Sequence, residues 1–290
     1  MWNGRGVSQS APMIAKTYDA GFVEREYNNR ALVPSHPEYF ARWERDSKFV
    51  RETLPAVLDV AYGPDARHRF DLFPAGRDAR GTLVFIHGGY WRSLDKSMFS
   101  WLAAAWNAAG VHVAMPNYRL APAVRIDAIV NDVIAATNWL FDNGARHGIA
   151  MDRVVVSGHS AGGHLAAALF AAPLARLRFD PARIVGGTPF SGLYDFAPLL
   201  QFSFNADYRL DAASAARLDL HDKRPTLSAP LVVAAGAAES SEFQRQSRLL
   251  AEAWAPQSRL LLLPGLDHFG IVDAFSERGQ PLYDATLAFF

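Results

Sequence analysis

A mainly parallel, twisted β-sheet with helices on both faces is the fold this sequence predicts, and two observations predict it. Short aliphatic or β-branched runs recur along the chain without polar alternation, which is how strands buried on both sides read. Between most of them lie stretches whose apolar residues fall at helical spacing, so that strand, turn and helix repeat in order.

Taken in sequence, residues 1–10 are polar and contain glycine, with no basic stretch leading into an apolar run. No secretory signal is expected from that pattern, and a cytoplasmic protein is. Ser35 then precedes a helical pattern that sets Phe40, Trp43, Val50 and Leu54 on one face. Runs at 57–62, 69–73 and 82–86 read as the first three strands. A helix over 96–109 stops at Gly110, and an extended run at 111–115 follows it. A helix over 126–141, a strand at 154–156 and a helix over 163–171 come next, with further strands at 183–185, 230–235 and 259–263. The polar and aromatic stretch 192–228 breaks this rhythm and is expected as a cap insertion over the sheet's functional edge. With no repeat and no Pro/Gly/Ser-rich linker, the chain divides into an N-terminal cap segment, 1–55, and one catalytic domain, 56–290.

Composition narrows the chemistry. Lysine plus arginine equals aspartate plus glutamate at 29 each, so no net field attracts nucleic acid or an anionic membrane, and a small molecule is the expected partner. No run approaches the roughly eighteen apolar residues that cross a bilayer. The absence of cysteine excludes disulfides, thiolate metal sites and a Cys nucleophile together. Composition leaves the oligomeric state open, a homodimer included.

The reactive residues gather around Gly158-His159-Ser160-Ala161-Gly162, which follows the strand at 154–156 and opens a helix. This is the G-x-S-x-G nucleophile elbow of the α/β-hydrolase fold, where a sharp turn exposes the serine and glycines spare the neighbouring backbone a Cβ. The helix N-terminus also directs N–H groups toward a developing oxyanion. A second motif, His87-Gly88-Gly89-Tyr90-Trp91, follows the strand at 82–86 and occupies the loop that supplies the rest of the oxyanion hole. Gly88, Gly89 and Ala161 are the expected donors, with His87 a brace for the loop.

The fold orders its triad nucleophile, acid, histidine, so the base must follow Ser160. His164 lies in the elbow helix and His221 in the polar insertion, whereas His268 follows the strand at 259–263 as the mechanism needs. The acid should follow the strand at 230–235, where Glu239 is preferred and Glu242, one turn on, is its rival. Asp267 adjoins His268 too closely to orient it and is assigned to the loop.

Taken together, HGGYW at 87–91, GHSAGG at 158–163, Ser191-Gly192-Leu193-Tyr194-Asp195, the run from Ser240 to Ser247 and Asp267-His268-Phe269 resemble the kynurenine formamidase (arylformamidase) family, within the hormone-sensitive-lipase-like α/β-hydrolases. Glu26-Tyr27-Asn28-Asn29-Arg30 and Val33-Pro34 resemble that family's opening segment. Where relatives often carry Asp as the acid, this chain has Glu239. The resemblance implies hydrolysis of an aryl formamide, with N-formyl-L-kynurenine giving L-kynurenine and formate, by Ser160, Glu239 and His268 and without a cofactor or metal. Tyr90, Trp91 and Tyr194 are candidates to stack on an aromatic leaving group, and core packing accounts for each of them as well. The bulky Tyr90-Trp91 pair, where HGGG enzymes carry a small residue, suggests a narrow acyl side. A carboxylesterase using the same triad is the alternative. A silent hydrolase-like binding protein would have no need of all three triad residues.

Overall fold

Successive side chains on a strand leave opposite faces, and in Gly81–Ile86 both faces are buried: Val84 and Ile86 enter one apolar cluster, Leu83 and Phe85 another. The computed structural model describes residues 18–290. Among the described residues one sheet is built from β1 (Val57–Ala61), β2 (Arg69–Phe73), β3 (Gly81–Ile86), β4 (Val111–Pro116), β5 (Val154–His159), β6 (Ile184–Phe190), β7 (Leu231–Gly236) and β8 (Ser258–Leu263). The spatial order is β1, β2, β4, β3, β5, β6, β7, β8. β2 runs antiparallel to its two neighbours, and every pairing from β4 to β8 is parallel. This is the expected mainly parallel sheet.

Helices cover both faces. α1 (Ala20–Tyr27), α2 (Asn29–Leu32) and α3 (His36–Thr53) precede the sheet, and α4 (Leu102–Ala108), α5 (Ile126–Asn143) and α6 (Ala161–Phe170) fall within its first half. α7 (Asn205–Tyr208), α8 (Ala212–Leu218), α9 (Ser241–Ala253), α10 (Gly270–Ala274) and α11 (Pro281–Leu287) follow. α5, α6 and α9 bury residues such as Ile129, Leu165 and Leu250 in the apolar cluster that holds Val84 and Ile86, while α3, α4, α10 and α11 bury Trp43, Trp106, Ile271 and Leu282 in the other. No helix among the described residues is long and apolar enough to cross a membrane.

The N-terminal helices are tied to the body of the molecule by buried polar contacts. Asp19 caps α1 by accepting from the Phe22 amide at 2.9 Å. At the far end of α1, the Tyr27 hydroxyl donates to Glu242 at 2.7 Å and accepts from Gln246 Nε2 at 3.0 Å, joining α1 to α9. Of the expected cap segment 1–55, residues 1–17 lie outside the described residues.

Several boundaries differ from the sequence-based expectation. The helix expected over 96–109 is a short 3-10 turn, Lys96–Phe99, followed by α4. The break comes where the Trp101 amide donates to Ser47 Oγ of α3 at 3.1 Å instead of continuing a helical ladder. β6 runs on through Gly186, Gly187 and Pro189, residues of poor strand propensity held extended by pairing on both sides. α6 starts at Ala161, directly after the serine. The helices α1, α2 and α7 to α11 have no counterpart among the helices expected from the sequence.

Candidate active site

Ser160 stands between the end of β5 and the start of α6, at φ 57° and ψ −121°, a backbone conformation that L-residues avoid and that recurs where strain serves a site. Two glycines make this turn possible. A Cβ on Gly158 would lie 2.2 Å from the carbonyl oxygen of Gly162, and one on Gly162 would lie 2.0 Å from that of Ile86. The turn is fixed by hydrogen bonds from the Ser160 amide to Phe190 O, 3.0 Å, and from the Gly163 amide to Ser160 O, 2.8 Å.

His268 follows β8, and Glu239 follows β7. Their side chains meet with Nδ1 of the histidine 2.7 Å from Oε2 of the glutamate. The second oxygen, Oε1, accepts from Ser191 Oγ at 2.6 Å and from the Gly236 amide at 2.7 Å. With Nδ1 against a carboxylate, Nε2 is the ring nitrogen left for other chemistry. Asp267 serves the loop, accepting from the amides of Phe269 at 2.8 Å and Gly270 at 2.7 Å. Glu242 is turned elsewhere: it pairs with Arg245 at 2.8 Å and accepts from Tyr27. Burial, reinforced by Glu242, pushes the Tyr27 phenol far above its ordinary range, so it remains a donor.

The loop after β3 lies beside the serine. Gly88 comes so close that a Cβ there would be 3.1 Å from Ser160 Cβ. The amides of Gly88, Gly89, Tyr90 and Ala161 meet no acceptor among the described residues. His87 is buried and stacked on Tyr118 at 4.4 Å, with Nε2 3.1 Å from Asn117 Oδ1. Burial lowers it to about 4, so it is neutral near pH 7 and holds the loop by contact. His159 lies beside the His268 ring at 4.5 Å. Burial first, and that neighbouring ring second, lower it well below the ordinary histidine range.

Ser160 and His268 line one cavity of about 280 Å³. Gly89, Tyr90 and His159 share its wall, together with Phe40 and Trp43 of α3, Asn28 to Arg30, and Phe204 from the stretch 192–228. Trp91 and Tyr194, both candidates for ring stacking, are not brought to it. Trp91 is fully buried against His164, Phe196 and Tyr208, and Tyr194 is fully buried with its amide on Gln246 Oε1 at 2.7 Å. Trp91 fills the space between α6 and the 192–228 stretch, where apolar area is removed from water, and Tyr194 is buried in the same apolar cluster, so Tyr90 alone of the three lines the cavity. Among the cavity residues absent from the sequence reading of the site are Asn29, Arg30, Phe40, Trp43, Arg92 and Phe204. The helical face bearing Phe40 and Trp43 was the available signal, but only packing shows what that face covers.

Comparison with known proteins bears on this arrangement. Residues 83–239 match the family model described as alpha/beta hydrolase fold. The chain is 25% identical to the kynurenine formamidase of Salmo salar, covering 83% of each chain, and 26% identical to that of Drosophila melanogaster, covering 94% of each. A crystal structure from Silicibacter sp., carrying a provisional thioesterase name, superposes with a TM-score of 0.81 at 32% identity, covering 92% of this chain and 98% of the other. The family match spans more than half of the chain and includes both the loop after β3 and the elbow; this chain belongs to the α/β-hydrolase fold family.

Proposed function

We propose that this chain is a serine hydrolase that cleaves aryl formamides, with N-formyl-L-kynurenine giving L-kynurenine and formate. The observation that carries this reading is the 2.7 Å contact of Glu239 with His268, which lines, together with the strained Ser160, a cavity walled by aromatic rings. Similarity to kynurenine formamidases along most of the chain supports the choice of substrate.

In this mechanism His268 Nε2 takes the proton of Ser160 Oγ as the oxygen attacks the formyl carbon. Glu239 keeps the imidazole in the required tautomer and stabilises the imidazolium that forms. Backbone amides hold the oxyanion: Ala161 from the elbow and, from the loop, Gly88 and Gly89. Tyr90 is a further donor, because it lines the cavity with Gly89 and its amide meets no acceptor among the described residues. His268 then protonates the aniline nitrogen, the C–N bond breaks, and a formyl ester remains on Ser160. Water, deprotonated by His268, attacks that ester, and formate leaves as His268 returns the proton to Ser160 Oγ. None of these steps calls for a metal or organic cofactor.

The segment 1–55 and the stretch 192–228 act as covers in this reading, since each supplies cavity wall. The test is kcat/KM for N-formylkynurenine, acetanilide, p-nitrophenyl acetate and p-nitrophenyl octanoate in one buffer. The formamide is expected to lead. A preference for the octanoate with N-formylkynurenine near background would make the chain an esterase and leave the triad assignment standing.

A further inference from the structure

We infer that Asn29 and Arg30 form a subsite for a carboxylate carried by the aromatic substrate. The inference rests on the formamidase reading for the bond that is cut, but its recognition chemistry comes from the cavity itself. Much of that wall is aromatic, including Phe40, Trp43 and Phe204, and no acidic side chain lines it among the described residues. Asn29 is 4% exposed, and its Nδ2 is buried with no hydrogen-bond partner. Buried donors are nearly always paired, so a donor left over on a cavity wall points to a ligand that supplies the acceptor.

Arg30 stands next to it on the same wall. Its guanidinium rests over the Phe40 ring at 5.5 Å and has no carboxylate partner among the described residues. Arg92, the other arginine of the wall, is already committed: it pairs with Asp207 at 2.6 Å and stacks on Phe204 at 4.2 Å. A guanidinium fork beside an amide N–H matches a carboxylate, the acceptor that a planar cation binds with two parallel hydrogen bonds. An aromatic substrate could then place its ring among the aromatic side chains, with its acid group held by Asn29 and Arg30 and its formyl group at Ser160.

The test is direct binding to the full chain, measured by calorimetry with two ligands that differ in one group. L-kynurenine carries the aryl ketone, the ammonium and the carboxylate, whereas kynuramine keeps the first two and lacks the last. The wild type is expected to bind L-kynurenine about tenfold tighter than kynuramine, the size of one charge-assisted contact. Arg30→Gln is expected to remove most of that difference, Arg30→Lys to retain part of it, and Asn29→Leu to reduce it. Equal affinities in the wild type, no binding of L-kynurenine, or an unchanged ratio in Arg30→Gln would each overturn the inference. Turnover of N-formylkynurenine by the wild type judges the formamidase reading separately.

Discussion

Glu239 holds His268 with one carboxylate oxygen and is itself held by the other: Oε2 lies 2.7 Å from Nδ1, while Oε1 accepts from Ser191 at 2.6 Å and from the Gly236 amide at 2.7 Å. A carboxylate fixed at both ends fixes the ring it touches. Glu242 has the same chemistry three residues later but is engaged by Arg245 and Tyr27, so the two glutamates part in what their loss would do.

Glu239→Gln is expected to lower kcat by about 10²–10⁴-fold, because an amide neither selects the tautomer nor stabilises the imidazolium. Glu242→Gln is expected to leave kcat within a few-fold and to reduce stability by about 1–3 kcal/mol, through the weakened buried contacts with Tyr27 and Arg245. Steady-state kinetics and urea unfolding of both variants check the pair. The opposite ranking in kcat would move the acid role to Glu242.

Ser160→Ala is expected to abolish turnover and leave the unfolding midpoint near that of the wild type, since one oxygen is removed. A sulfonyl fluoride is expected to modify Ser160 and inactivate the enzyme in parallel. Full activity in a sample whose Ser160 has been replaced would end the proposed mechanism.

Gly162→Ala tests the elbow without touching a reacting group. Its Cβ would fall 2.0 Å from Ile86 O and 2.6 Å from His87 O, both backbone atoms, so α6 must move away from the loop that follows β3. A loss of about 2 kcal/mol or more in stability is expected, together with a fall in kcat greater than that in KM. A variant with wild-type stability and kcat would show that the close approach is not needed.

Acid is expected to destabilise the fold through histidines buried in the neutral state. Burial lowers His87 to about 4 and His164 to about 3, against an unfolded value near 6.5. Between those limits the unfolded chain binds the extra protons, so this stability is fully present above about pH 6.5 and is lost as pH falls. Asp219 works in the opposite sense, because burial raises it to about 6 and its folded form keeps a proton that the unfolded form has lost. Replacing His164 by Gln is expected to make the loss between pH 6.5 and 4.5 shallower, by at most about 1.4 kcal/mol per pH unit. Denaturant midpoints across that range check it, and an unchanged slope would contradict the assignment.

The elements that set the chemistry were legible because their signals are local. The strand leading into Gly158-His159-Ser160 and the two histidine-bearing turns could be read from runs and spacing alone. The 3-10 break before α4 was not, since it depends on Ser47 arriving from α3 to take the Trp101 amide. Aromatic residues were the least legible class. Tyr90 and Trp91 are neighbours of like composition, yet one lines the cavity and the other is fully buried among His164, Phe196 and Tyr208. Asn29 and Arg30 carry no local signal beyond the family resemblance, because their place in the cavity arises from the packing of α1 on α9, a contact between distant parts of the chain.

That packing also bears on how firmly the cavity's N-terminal wall is held. Lifting Asn28 to Arg30 would draw Tyr27 with them and break its buried hydrogen bonds to Glu242 and Gln246, at about 1–3 kcal/mol for each donor or acceptor stranded. Asn205–Tyr208, after Phe204, is a single short turn, and its Asp207 is held by Arg92 in a partly solvent-exposed pair of a kind worth about 0–1 kcal/mol. Of the two, the short turn Asn205–Tyr208 is therefore expected to open the more readily. Amides of Asn205–Tyr208 are expected to exchange with solvent faster than those of Ala20–Tyr27.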